Sequence, residues 1–122
     1  MYTTYTNFDS LITAELLIKK LLSMLSVNHP DWVVEYRDTQ HSIFTANDEM
    51  DVTPVTQAIV RDANGKDVFD ILPLLNAHDT DDNGDIWFVE AFYRGDEDRD
   101  VIWWLPDANP QEALIELEDY IM

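Results

Sequence analysis

The sequence predicts an α+β fold: an N-terminal helix, an antiparallel sheet of about five strands and a closing C-terminal helix. Three observations carry this expectation. Apolar residues recur at helical spacing near both ends, and the middle holds aromatic and β-branched runs. The three glycines of the chain, Gly65, Gly84 and Gly95, all fall between those runs, where turns belong. At 122 residues the length is that of a single domain covering residues 1–122.

The first helix is predicted over about Asp9 to Val27, capped by Asn7 or Asp9. Leu11, Ala14, Ile18, Leu21, Leu22 and Leu25 form its apolar stripe. Ile12, Leu16, Leu17 and Met24 widen that stripe, so part of the face is available for a homodimer or partner contact. Burial of the whole face on the sheet is the competing expectation. His29-Pro30-Asp31 ends the helix. Trp32–Arg37 and Ser42–Thr45 then read as strands, and Asp48 to Asp51 as an acidic loop. Val55–Arg61 and Lys66–Ile71 read as a hairpin around Asp62-Ala63-Asn64-Gly65, because Asn-Gly tolerates the positive φ of a tight turn. A short helix over Val68 to Asn76 is the alternative, with Pro73 in its first turn or breaking it. Ile86–Tyr93 and Val101–Leu105 read as a second hairpin. Adjacent strand residues face opposite sides, so one of Trp103 and Trp104 is expected in the core and the other exposed to a partner. The last helix has the clearest local signal. Asn109 is its cap, Pro110 its first residue, and Glu112 completes a capping box. Ala113, Leu114, Leu117 and Ile121 form its apolar face.

Charge narrows the function classes. Twenty-five acidic residues against seven basic ones give a net charge of −18. Such a chain repels anionic membranes and nucleic acid, and it speeds encounter with basic partners. Leu11 to Leu25 carries Glu15, Lys19 and Lys20 and is too short to span a bilayer. The first ten residues hold no Lys or Arg, so a signal peptide is not expected and a cytoplasmic location is. There is no cysteine, which excludes disulfides and thiolate metal sites. His29, His41 and His78 lack a partner histidine at zinc spacing. With no phosphate loop and no serine elbow either, the chain reads as a binding protein rather than an enzyme.

The charge is uneven. From Asp79 to Met122 there are 14 acidic residues and two arginines; residues 1–78 hold 11 acidic and five basic. Glu112, Glu116 and Asp119 lie on one side of the last helix, about 6 Å apart per four residues along its axis. Two steps of a duplex strand cover a similar distance, about 6.8 Å. These carboxylates, with Asp96, Glu97, Asp98 and Asp100, are the candidate partner-binding acidic face. A merely solvated acidic surface is the competing reading.

Asp79-Thr80-Asp81-Asp82-Asn83-Gly84-Asp85-Ile86-Trp87-Phe88-Val89-Glu90 fits the D-x-[DN]-x-[DN]-G-x5-E template and resembles an EF-hand loop. That resemblance implies calcium held by Asp79, Asp81, Asn83, Asp85 and Glu90. The flanks read differently: Trp87–Tyr93 is strand-like, which makes the segment an Asp/Asn/Gly turn ahead of a strand. Beyond this loop no cofactor is expected.

The expected function is an acidic inhibitor that occupies the nucleic-acid groove of a basic partner, a nucleic-acid-binding enzyme or complex. In size and charge the chain is similar to small phage or plasmid DNA mimics that block restriction or CRISPR nucleases. The alternative is a toxin-immunity protein or a chaperone, since the order of elements is similar to that of small acidic dimeric class I type III secretion chaperones. A calcium-binding module is the third reading.

Overall fold

In the computed structural model of this chain the described residues are 8–44, 50–81, 84–94 and 101–121, with side chains described over 10–40, 54–74, 87–94 and 101–121. The elements run α1 (Phe8–Asn28), β1 (Val33–Phe44), β2 (Met50–Arg61), β3 (Asp67–Asp81), β4 (Gly84–Tyr93), β5 (Val101–Trp104) and α2 (Pro110–Ile121). The strands form one antiparallel meander in the order β1-β2-β3-β4-β5. The α+β expectation of two terminal helices around a five-stranded sheet therefore holds.

Several local expectations change. Val33–Arg37 and Ser42–Phe44 are parts of one strand, β1, and Asp51 belongs to β2 rather than to a loop; Thr45, Asp48 and Glu49 lie outside the described residues. Asp9 lies inside α1, so it is not the cap; Asn7 lies outside the described residues. The alternative helix over Val68 to Asn76 does not form, because that segment is β3.

The turn between β2 and β3 has a three-residue loop. The Gly65 N–H donates to the Asp62 carbonyl, and the Asp62 N–H donates to the Lys66 carbonyl. Gly65 alone of the turn needs glycine, with φ of 81°. This is a type I turn closed by a glycine bulge rather than a two-residue Asn-Gly turn. The Asp62 carboxylate accepts from the N–H groups of Asn64 and Lys66 and holds the loop shut.

The sheet is two long hairpins joined over a short seam. β1 and β2 pair without interruption from Val33↔Arg61 to Phe44↔Met50. β3 and β4 pair from Phe69↔Tyr93 to Asp81↔Gly84, with a shift between Asn76 and Thr80. Between the hairpins, β2 and β3 pair only from Ala58↔Ile71 to Arg61↔Asp67. Pro54 and Pro73 both lie beyond the end of that seam, where a missing backbone N–H breaks no β2–β3 bond.

One face of the sheet carries both helices. α1 buries Leu11, Ala14, Leu17, Ile18, Leu21, Leu22 and Leu25 against Phe69, Ile71, Trp87, Val89 and Ala91. α2 adds Ala113, Leu114 and Leu117, and β5 adds Trp104. The widened stripe of α1 divides: Leu17 is buried and Met24 half-buried, while Ile12 and Leu16 stay exposed.

α1 also supplies acceptors to strand edges. The Ser10 hydroxyl accepts from the Trp87 N–H at 3.0 Å, beyond the last β4–β5 pair, Val89↔Trp104. The Glu15 carboxylate accepts from the Thr56 N–H at 3.2 Å, beyond the β2–β3 seam. Backbone groups that a neighbouring strand no longer serves are thus served by the helix.

Ser10→Ala removes an acceptor from a buried N–H. A loss of about 1–3 kcal/mol is expected, read as a lower urea midpoint with an unchanged denaturant slope. A variant as stable as the parent would show that this edge needs no helix side chain.

Candidate functional site

Three of the seven carboxylates named from the sequence, Glu112, Glu116 and Asp119, lie on α2. α2 forms as its signals direct. The Asn109 side-chain oxygen accepts from the N–H groups of Gln111 at 2.9 Å and Glu112 at 3.4 Å. Its apolar side packs inward, and Glu112, Glu116 and Asp119 all project as exposed residues. Glu118 ties the end of α1 to α2. Its Oε1 accepts from Asn28 at 2.9 Å and lies 3.3 Å from His29 Nε2, with His29 stacked on Trp32. Asp96, Glu97, Asp98 and Asp100 lie outside the described residues.

β5 lies at the sheet's outer edge beside α2. Strand alternation divides its two tryptophans as expected: Trp104 is 8% exposed, Trp103 63%. Trp104 is also an anchor. Its indole N–H donates to Glu116 Oε2 at 2.5 Å, which fixes one carboxylate of the acidic face against the sheet edge. Nothing in the sequence spacing announced this bond, because the partners meet only when α2 folds back over β5.

Comparison with family models, with curated proteins and with solved structures returned no match.

A shallow groove of about 570 Å³ runs between β5 and α2, lined by Val101, Ile102, Trp103, Glu116, Asp119 and Tyr120. It combines an aromatic wall, two carboxylates and a strand edge. Ile115 and Leu105 add exposed apolar surface on the same two elements and their connection.

The calcium-loop residues are placed differently. Asp79 and Asp81 lie on β3, Asp85 and Glu90 on β4, and Asn83 lies outside the described residues. The described parts of the segment are the end of β3 and most of β4, strands rather than the helices that flank an EF-hand loop. Gly84 pairs with Asp81 at the hairpin end, whereas Glu90 pairs with Leu72 and Trp103 further down. At strand rise the six steps from Gly84 to Glu90 cover about 20 Å along β4. Among the described residues no group of three or more His, Asp or Glu is close enough to hold a metal.

Glu90 belongs instead to the sheet face turned away from the helices. Ile59, Leu72, Phe88, Phe92 and Trp103 share that face by alternation and register. Glu90 is only 7% exposed. Burial pushes its carboxyl above the ordinary value of 4.5, and a hydrogen bond from Trp103 draws it partly back. Asp70, 6% exposed on the same face, is held by the Arg94 guanidinium. The two buried carboxylates thus differ: one has a cation, the other an indole.

The sign of the Glu90 effect follows from its raised value. The folded state keeps its proton to higher pH than the unfolded chain, so the contribution to stability is full below about pH 4.5 and falls as pH rises through the folded value. Repulsion within a −18 chain acts in the same direction. Comparing Glu90→Gln with the parent isolates the single group. The variant is expected to lose less melting temperature between pH 4 and pH 7. Parallel curves for the two proteins would contradict the assignment.

Proposed function

We propose that this chain is an acidic binding protein that masks the basic, nucleic-acid-binding surface of a partner protein. The observation that carries this reading is the exposed row Glu112, Glu116 and Asp119 on α2, beside the exposed Trp103, in a chain of net charge −18. The carboxylates are spaced about as duplex phosphates are, and the partner's Lys and Arg side chains engage them in place of nucleic acid. Long-range attraction speeds encounter, and Trp103 supplies the contact that slows departure. The chain acts by occupancy and carries out no catalysis. A DNA-mimic inhibitor of a restriction or CRISPR nuclease, working in the cytoplasm, fits this description best.

Capture of partners on the immobilised chain, at low and at high salt, tests the reading. Recovery of a nucleic-acid-binding protein that salt or duplex DNA displaces is expected. Replacing Glu112, Glu116 and Asp119 by Lys is expected to weaken that complex by at least about tenfold, since each exposed pair contributes tenths of a kcal/mol to one kcal/mol. Because Glu116 also accepts from the Trp104 indole, the double variant Glu112→Lys/Asp119→Lys, which leaves that bond intact, is measured beside the triple one and is expected to stay folded and to bind more weakly. Unchanged affinity in the triple variant would sink the acidic-face reading.

A second reading, a dimeric chaperone-like or immunity protein, draws support from one feature. Ile12, Leu16 and Val27 of α1 are exposed by 57%, 61% and 79%. Sedimentation of the parent and of Leu16→Glu separates the two: a dimer that the substitution dissociates favours the second reading.

A further inference from the structure

We infer that the basic partner contributes an extended strand, which pairs with the free edge of β5 and lays its cationic side chains on α2. This rests on the acidic-binding reading above and specifies how the partner is held.

The two edges of the sheet are unlike. β1, at one edge, carries Glu35, Arg37 and Asp38, the charged side chains that discourage pairing with another chain. β5, at the other, reads Val101-Ile102-Trp103-Trp104, with no charge and no proline. Among the described residues it pairs on one side only, with β4, from Phe92↔Val101 to Val89↔Trp104. Every one of its residues is a good strand former, and Val101 and Trp103 are exposed. Among the described residues its protection is its shortness: the strand itself carries no charge and no proline.

What lies beside that edge specifies the occupant. The 570 Å³ groove is bounded by Glu116 and Asp119 on the α2 side and by Val101 and Trp103 on the β5 side. Side chains of an added strand alternate between those two sides. One set meets two carboxylates and must be cationic; an anionic set would be repelled by the groove and by the net charge. The other set meets the Trp103 indole and Val101, which favour apolar side chains or the stem of an arginine stacked on the ring. The occupant is therefore a strand alternating Lys or Arg with β-branched residues. Main-chain bonds to β5 give affinity, and the alternation gives specificity.

Two synthetic peptides of equal length and equal charge test this on the full chain. One alternates lysine with valine; the other has proline in place of each valine and cannot form a strand. Affinity is read by calorimetry, and amide hydrogen exchange is read residue by residue by NMR. The lysine–valine peptide is expected to bind at least about tenfold tighter and to slow exchange at β5 amides within Val101–Trp104. Equal affinity for both peptides with β5 exchange unchanged overturns the strand pairing and leaves the acidic-binding reading standing. Binding of neither peptide at low salt overturns both.

Discussion

The structure depends on the way α1 closes the gap between two hairpins. The β1–β2 and β3–β4 ribbons share a seam of four register pairs and then continue apart. A meander divided in this way leaves backbone donors without a neighbouring strand, and buried donors of this kind are costly. One helix answers both needs. Its leucine-rich side fills the volume over Phe69, Ile71, Val89 and Ala91, while Ser10 and Glu15 reach the strand edges on either ribbon. The helix and the sheet thus complete each other's packing and hydrogen bonding.

Anchoring and recognition are carried by adjacent residues at the far edge. Trp104 enters the core and fixes Glu116; Trp103, one residue earlier, stands outside and donates to Glu90. A strand places neighbours on opposite sides at no extra cost, so four residues hold α2 in place and offer an aromatic surface. The charge is arranged with the same economy. Three arginines have carboxylate partners: Arg37 with Glu35 along β1, Arg61 between Glu35 and Asp67, and Arg94 over the buried Asp70. The exposed carboxylates of α2 have no cation among these pairs, which leaves their field directed outward.

Local chemistry was the part of this protein legible without coordinates. Asn109-Pro110 with Glu112 announced α2, because a cap and a fixed φ act over three or four residues. Asp62-Ala63-Asn64-Gly65 announced the turn, though not that it would take the bulged form with Gly65 alone at positive φ. The Asp79–Glu90 segment shows the limit of local spacing. Its twelve residues satisfy a ligand spacing, but a spacing is a site only if the chain curls, and β-branched and aromatic residues after Gly84 extend it instead. Pro73, which in the alternative helix would sit in the first turn or break it, sits in a strand, where β3 has no β2 partner at that height.

The sequence by itself determined the charge, the two helices, the strand-rich middle and the split between Trp103 and Trp104, all of which follow from composition, capping or a period of two. Only the tertiary structure decided which residues meet: Glu116 with Trp104, Glu118 with Asn28, Ser10 with Trp87, and the groove where β5 faces α2. Those contacts join residues 12 to 90 positions apart, and no local propensity encodes them. They arise because burying one side of each helix on one sheet leaves few ways to pack, and packing sets the distances.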